Sequence, residues 1–487
     1  MLLSDLVGIE LSGAKSSGGD IDIAGIAAHS TDVKPGFLFA ALKGAKTDGG
    51  AFIADAVRRG ASAILVDRDV TVDAGPARVI AVPDARHALA HAATRFFGRQ
   101  PEIVVAVTGT NGKTSVVNFT RQMWEAQGVQ AASLGTLGVI AGSRHTPLKH
   151  TTPDPIQLHR LLAELAAEGI DHLALEASSH GLDQHRLAGV RLAAAGFTNL
   201  SRDHMDYHAS AEAYLTAKRS LFTQVLPRGA TAVLNADVPE YPELLAACRK
   251  RDQRVISYGR AGRELRVAGF RPNGSGTYVE LAVDGGTETV RIPLVGDFQL
   301  WNALCALGLL VGAGGSLDAG VRALVSLKGV PGRMQQVAEI NDARVFVDYA
   351  HTPDAIEKVL RTLRPYARNC LVIVFGCGGD RDSGKRPVMG EIACRFADRV
   401  IVTDDNPRTE DAAKIRAQVL AGCTHATEIG DRASAIRTAV AGLDEGDVLV
   451  IAGKGQESGQ IVGTQVLPFD DAEHARAAVS EAMGASA

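Results

Sequence analysis

Apolar and polar positions along this chain form short, solid apolar runs separated by longer stretches with helical spacing. Ile103-Val104-Val105-Ala106-Val107 is apolar throughout, the pattern of a strand buried on both faces in a parallel sheet. A Gly-rich turn and a helical pattern from Lys113 to about Gln127 follow it. Leu173-Ala174-Leu175, Ala194-Ala195-Gly196-Phe197 and Ala232-Val233-Leu234 recur between helical stretches. This alternation predicts α/β units around a mostly parallel sheet. Upstream, Phe37-Leu38-Phe39-Ala40-Ala41-Leu42 and Ala63-Ile64-Leu65-Val66 are strand-like runs among Gly-rich turns. Residues 254–293 are more β-rich, and Thr277 to Val283 before Gly285-Gly286 predicts a small hairpin element.

Beyond Gly329-Val330-Pro331-Gly332, four runs read as strands: Val345-Phe346-Val347, Leu371-Val372-Ile373-Val374-Phe375, Val400-Ile401-Val402 and Val448-Leu449-Val450-Ile451. Helical segments between them predict a doubly wound α/β domain, which takes its ligand at the carboxyl ends of the strands. Breaks at Gly98-Arg99-Gln100-Pro101 and before residue 330 divide the chain into blocks 1–97, 98–329 and 330–487.

The 487 residues suit about three domains. With 51 Lys and Arg against 55 Asp and Glu, the net charge is −4, which argues against a general nucleic-acid or membrane-surface binder. No apolar run approaches the roughly 20 residues that span a bilayer, and the N-terminus lacks a basic, apolar leader. A cytoplasmic protein is expected. Its six cysteines are scattered, without a Cys-x-x-Cys pair or zinc spacing, so all six are expected as reduced thiols.

The strongest chemical signal is Thr108-Gly109-Thr110-Asn111-Gly112-Lys113-Thr114-Ser115, between a buried strand and a helix. There, backbone N–H groups and the helix N-terminus cradle phosphate oxygens. Lys113 would reach the outer phosphates and Thr114 a Mg²⁺ ion. Val107 stands where the general P-loop has its first glycine, so the loop is a shortened variant. Glu176, in Leu175-Glu176-Ala177-Ser178-Ser179-His180, also ends a strand, where a carboxylate suits Mg²⁺ but equally a solvated cap. Asn199 to His208 is dense in ligand-type side chains, and His204 would complete a metal shell, although a polar loop explains the stretch as well. Lys218 lies on an amphipathic helix, where a lysine is ordinarily solvated. In the last block Asp405, Asn406 and Arg408, with Arg381, offer donors and acceptors for a zwitterion.

In order and joint presence these residues resemble the Mur ligase family, the ATP-dependent amino-acid ligases of peptidoglycan precursor synthesis. The marks are Gly109-Thr110-Asn111-Gly112-Lys113-Thr114, Glu176-Ala177-Ser178-Ser179-His180, Asp203-His204-Met205-Asp206-Tyr207-His208, Ala217-Lys218, Asn302, Gly332-Arg333-Met334 and Asp348-Tyr349-Ala350-His351-Thr352-Pro353-Asp354. The resemblance implies a small α/β N-terminal domain for the uridine end of the substrate. It also implies a central P-loop ATPase α/β domain with a parallel sheet and a Rossmann-like C-terminal domain for the incoming amino acid. It implies Mg²⁺ ligands at Thr114, Glu176, His204 and Lys218, the last as a carbamate formed with CO₂. ATP contacts are implied from Gly109 to Ser115 and at Asn302, Arg333 and His351. Ser30, Thr151, Thr152, Ser178, Gln184 and Arg186 would meet the substrate UDP-N-acetylmuramoyl-L-Ala-D-Glu.

Asp405-Asn406-Pro407-Arg408 resembles the mark of family members that add meso-diaminopimelate, and Gly453 and Glu457 match a second contact to that amino acid. A monomeric enzyme with small-molecule partners is expected. Four positions depart from the family pattern: His29 and Thr31 around Ser30, Gln456, and Gln299. A lysine-adding relative, a folylpolyglutamate synthase-like ligase, a nucleotide-dependent switch or binding module, and a kinase, for which no second phosphoryl-acceptor signature is present, are the competing readings. Only the ligases account for the loaded strand ends of the last block.

Overall fold

The computed structural model describes residues 1–8, 20–44, 48–70, 72–205, 207–273, 276–283 and 285–485. Asp206, part of the His204 motif, lies outside the described residues. Three main sheets follow one another along the chain. The first has four parallel strands in chain order, Gly25–Ala27, Phe37–Ala40, Ala61–Asp67 and Arg78–Val82. The helix Ala85–Phe97 packs against it and leads out of this unit.

The second sheet has eleven strands. At its centre Ile103–Thr108 lies between Leu192–Phe197 and His172–Glu176, all parallel. Val105 and Val107 face one apolar cluster while Val104 and Ala106 face another. That burial of both faces is why the run is apolar at every position rather than alternating. Register pairs Val107 with Glu176 and Thr108 with Phe197, so three strands end side by side where the P-loop begins. The β-rich stretch proves larger than a small hairpin. Leu265–Asn273, Gly276–Val283 and Gly286–Ile292 form an antiparallel extension of the same sheet.

The third sheet has six strands, and Gln335–Ile340 is its antiparallel edge. The other five are parallel, with Ala343–Asp348, Val448–Ala452 and Leu371–Phe375 adjacent at the centre. Apolar clusters cover both faces. A hairpin absent from the sequence reading, Gly459–Val462 with Gln465–Pro468, follows the last long strand. Among the described residues no helix is long and apolar enough to cross a membrane.

One expectation is corrected here. Cys394 and Cys423 form a disulfide with Cα atoms 5.5 Å apart, while Cys248, Cys305, Cys370 and Cys377 are free. Two glycines explain the approach. A Cβ on Gly422 would sit 1.9 Å from the Pro387 carbonyl oxygen and one on Gly390 2.1 Å from that of Val419. Lacking side chains, they let the helices Lys385–Phe396 and Ala412–Leu420 close until the sulfurs meet.

The first two units are clasped through His159. Its Nε2 lies 3.1 Å from the Ala188 carbonyl oxygen and 3.0 Å from Thr94 Oγ1 on the helix Ala85–Phe97. Burial pushes its pKa down from 6.5 to about 4. The unfolded chain therefore binds this proton at higher pH than the folded one. The stabilisation is complete above about 6.5 and is lost as pH falls from there toward 4, by up to about 3 kcal/mol. Melting curves at about pH 7.5 and pH 5 should show a larger fall in Tm for the native protein than for His159→Gln. An equal fall in both would remove this role.

Candidate active site

The P-loop is shaped by two glycines that no other residue can replace. Gly109 has φ +147° and Gly112 φ +90°. A Cβ would lie 1.9 Å from Thr198 Oγ1 at the first and 2.3 Å from Asn302 Oδ1 at the second. Backbone thus passes directly over neighbouring side chains, and the loop is pinned to Asn199, whose carbonyl oxygen accepts from the Thr110 N–H at 2.8 Å and whose Oδ1 accepts from the Asn111 N–H at 3.1 Å. The helix Lys113–Glu125 starts at once, with its N-terminus at the loop. Thr114 and Ser115 are buried in its first turn.

Parallel strand ends and the third unit enclose a cavity of about 430 Å³. Thr110 to Ser115, Thr151, Glu176, Ser178, His204, Lys218, Asn302, Arg333 and His351 all line it. Residues predicted from separate motifs therefore share one space. Lys113 Nζ donates to the carbonyl oxygens of Gly109 at 2.8 Å and Thr110 at 2.9 Å. Lys218 Nζ donates to the same Gly109 oxygen at 2.7 Å and lies 4.2 Å from the centre of the Tyr214 ring. The solvated position ordinary for such a helix residue is overturned, since Lys218 is 1% exposed. Burial, and then the Lys113 charge, hold its amine well below the usual lysine range. Burial also lowers Lys113, against the pull of Glu176 and Asp203.

Glu176 is buried, and its carboxylate accepts from the Thr136 N–H at 2.8 Å and the Thr136 hydroxyl at 3.2 Å. Thr136 follows the strand Ala131–Gly135 and belongs to no motif that would have marked it. His204 has φ +55°, a strained conformation of the kind that collects at functional sites. Burial lowers its pKa to about 4, so at neutral pH the ring is uncharged. Burial raises the Asp203 carboxyl, but His351, His204 and Lys385 outweigh it and hold it below its usual value. The His351 ring contacts the Tyr349 carbonyl oxygen at 2.8 Å, and burial lowers its pKa. Arg333 donates to Thr114 Oγ1 at 3.3 Å and stacks 4.2 Å over Tyr349. Asn111 reaches Asp354 at 3.1 Å. These two contacts tie the P-loop to the third unit.

Along one side of this cavity Thr152, Ser178, Gln184 and Arg186 form a connected polar wall, and the hydroxyl of the adjacent Thr151 lies 3.1 Å from that of Thr136. Thr152 donates to the Glu176 carbonyl oxygen at 2.8 Å and accepts from the Ser178 N–H at 3.0 Å. Arg186 donates to the Thr152 carbonyl oxygen at 2.6 Å and to Gln184 at 2.7 Å. Ser30 stands apart, in the turn Ser30–Asp32 of the first unit.

The third unit brings a second group together. Asn406 Nδ2 donates to Glu457 Oε2 at 2.8 Å, while its Oδ1 accepts from Lys454 Nζ at 3.1 Å and the Ile461 N–H at 2.9 Å. Lys454, wholly buried, also holds Glu457 Oε2 at 3.1 Å. Its place between two site residues was visible in Gly453-Lys454-Gly455-Gln456-Glu457, but its inward direction was not. Gly453, at φ +116°, makes room for Asp405, whose Oδ2 would be 2.5 Å from a Cβ there. Arg408, at φ +53°, donates to the Gly379 carbonyl oxygen at 2.8 Å. Its N–H donates to the Ile461 carbonyl oxygen and its carbonyl accepts from Gly463, so the unforeseen hairpin fixes its backbone. Among the described residues no carboxylate pairs with its guanidinium. Pro407 turns the chain between Asn406 and Arg408. Arg381 is exposed, and among the described residues its side chain donates only to the neighbouring Asp380 carbonyl oxygen, at 3.1 Å.

Family sequence models match in three places. The Mur ligase family catalytic domain covers residues 22–97, the Mur ligase middle domain 107–310 and the Mur ligase glutamate ligase domain 332–455. A curated UDP-N-acetylmuramoyl-L-alanyl-D-glutamate–2,6-diaminopimelate ligase of Brucella melitensis biotype 1 is 51% identical over 468 residues, 96% of each chain. A solved structure of a ligase with that name is 36% identical, covers 94% of this chain and 95% of its own, and superposes with a TM-score of 0.68. The MurF ligase of Thermotoga maritima in complex with ADP shares the fold at 20% identity, with a TM-score of 0.64 over 95% of this chain and 98% of its own.

Proposed function

The chain belongs to the Mur ligase family, and from that premise we propose that it joins meso-2,6-diaminopimelate to UDP-N-acetylmuramoyl-L-Ala-D-Glu with ATP. The observation that carries this reading is the P-loop cavity, where Lys113, Glu176, His204 and Lys218 converge at adjacent strand ends. In the third unit the linked side chains of Asn406, Lys454 and Glu457 suit the polar end of an amino acid. Residues 98–329 then serve as the ATP domain, 330–487 as the amino-acid domain and 1–97 as the uridine domain with Ser30.

The γ-carboxylate of D-Glu attacks the γ-phosphate of ATP, and ADP leaves. The amine of diaminopimelate then attacks the acyl phosphate and expels inorganic phosphate. P-loop N–H groups and Lys113 hold the phosphoryl oxygens, with Lys113 exchanging its loop carbonyls for phosphate. Asn302, Arg333 and His351 complete the ATP site. The donor set also fits Mg²⁺: a hydroxyl at Thr114, a carboxylate at Glu176 and an uncharged imidazole at His204 share the cavity. A free lysine ammonium would repel the ion, so Lys218 fits as its carbamate. When bound, Mg²⁺ neutralises charge on the phosphates. Thr151, Thr152, Ser178, Gln184 and Arg186 hold the muramoyl peptide so that its carboxylate faces the P-loop.

In the amino-acid cleft Lys454 fixes the amide of Asn406, since it donates to Oδ1 and leaves Nδ2 to face Glu457. Both donors occupy Oε2 of Glu457. Oε1 remains for the incoming ammonium, with Asp405 beside it and Arg408 set for the distal carboxylate.

Phosphate release tests the reading. Release from ATP should require both the UDP-muramoyl dipeptide and meso-diaminopimelate, with a tripeptide product and ADP. Preference for L-lysine would overturn the amino-acid assignment, release with folate substrates the whole substrate class, and AMP formation the acyl-phosphate route.

A further inference from the structure

The cysteine pair joins the two helices, Lys385–Phe396 and Ala412–Leu420, whose arginines hold the amino-acid loop. On the first helix, Arg386 is 1% exposed and binds Glu410 through both nitrogens at 2.9 Å. It also reaches the Gly378 carbonyl oxygen at 3.1 Å and Gln418, on the second helix, at 2.7 Å. Arg416 on the second helix pairs with Asp404. Glu410 and Asp404 flank Asp405 to Arg408, so both helices grip the loop that carries Asn406 and Arg408. At the cysteine pair itself Cys423 is buried, Cys394 is half-buried and His425 is exposed. The His425 ring nitrogens lie 3.2 and 3.4 Å from Cys394 Sγ, and the three donor atoms fall within 4.8 Å of one another.

We propose that Cys394, Cys423 and His425 form a reversible thiol–disulfide modification site that sets how firmly the amino-acid loop is held. The co-reactant is a low-molecular-weight thiol and its disulfide. In reduction, a thiolate RS⁻ attacks Cys394 Sγ, the accessible sulfur. The Cys394–Cys423 bond breaks, an R–S–Cys394 bond forms, and Cys423 leaves as a thiolate that takes a proton from solvent. A second RS⁻ attacks the R sulfur of the mixed disulfide, giving RSSR and the Cys394 thiolate. Overall, two RSH become RSSR while the protein disulfide becomes two thiols. Oxidation runs the same steps backwards, and there the imidazole of His425 takes the Cys394 proton to give the attacking thiolate. With the bond intact the helices move as one body. With it broken, their grip on Glu410 and Asp404 loosens, so diaminopimelate binding weakens and ATP binding does not. The second half of this rests on the amino-acid site proposed above.

The test equilibrates the full-length protein in graded ratios of reduced to oxidised glutathione, then alkylates it and counts labels by peptide mass spectrometry. Cys394 and Cys423 should pass together from unlabelled to labelled as the ratio becomes reducing, while Cys248, Cys305 and Cys377 are labelled after unfolding at every ratio. The KM for meso-diaminopimelate should rise several-fold in the reduced form, with the KM for ATP unchanged. Cys394→Ser and Cys394→Ala should show the reduced form's KM at all ratios, and His425→Gln should slow oxidation without moving the equilibrium ratio. Labelling of both cysteines at every ratio, or a titration that leaves every kinetic constant unchanged, overturns the proposal. Were diaminopimelate not the substrate, the labels would still titrate while neither redox form released phosphate with it, so the two failures are distinguishable.

Discussion

Lys218→Met is expected to lower kcat by about two to three orders of magnitude, the scale seen when one preorganised group that stabilises transition-state charge is removed from an active site. The side chain is wholly buried beside Lys113, on the Gly109 carbonyl oxygen and over the Tyr214 ring. Two ammonium groups around one carbonyl repel each other, and with little water to solvate them the charged form is disfavoured. The surroundings thus favour an uncharged amine at Lys218. Only an uncharged amine adds CO₂, giving a carbamate and releasing a proton. The product is an anion, which Lys113 then stabilises where it opposed the cation. Stripping CO₂ from enzyme and buffers should therefore lower activity, and bicarbonate should restore it. Lys218→Arg, a permanent cation of similar length, should be as inactive as Lys218→Met and gain nothing from bicarbonate. Labelled CO₂ should give a carbamate carbon signal in the native protein that both variants lack. Full activity without CO₂, together with no such signal, would leave Lys218 as a plain structural lysine.

How much of this was legible in sequence depends on how local the physics is. The P-loop was readable because strand, glycines and helix start are contiguous, and the glycines do the same work in space as in sequence. Strands of the two larger sheets were readable because burial on both faces makes their runs apolar at every position. Lys218 was not. Its burial comes from residues roughly a hundred positions earlier, and helical periodicity alone places it at the surface. Thr136 carries no motif, yet register sets its strand beside that of Glu176. The disulfide depended on two glycines whose meaning appears only when the helices pack. The hairpin Gly459–Pro468 is short, half-exposed and poor in alternation, although its backbone holds Arg408 in place. Ser30 matched by position, but the turn that carries it lies away from the cavity.

Arg408→Ala should cut kcat/KM for meso-diaminopimelate by about two orders of magnitude, near 3 kcal/mol of transition-state binding, while the KM for ATP stays unchanged. Diaminopimelate differs from lysine by a carboxylate at its far end, and that group needs a cation waiting in fixed geometry. Arg408 meets the requirement because its backbone is held at φ +53° by the hairpin and one nitrogen is occupied by the Gly379 carbonyl oxygen. The guanidinium is thereby aimed, and no carboxylate among the described residues has claimed it. Lysine as substrate would close the cleft over an unpaired charge, and that cost would be the source of selectivity. Arg408→Ala should therefore narrow the preference over lysine from both sides, losing the attraction for one amino acid and the penalty against the other. Arg408→Lys keeps the charge but not the fork, so it cannot hold Gly379 and a carboxylate together. It should fall closer to the alanine variant than to the native enzyme. Lys454→Met acts on the other end of the cleft, freeing the Asn406 amide to turn and leaving Glu457 without its buried partner. It should raise the KM for both amino acids alike and leave their ratio intact. If Arg408→Ala instead weakened ATP binding as much as diaminopimelate use, Arg408 would be holding the fold rather than reading the substrate.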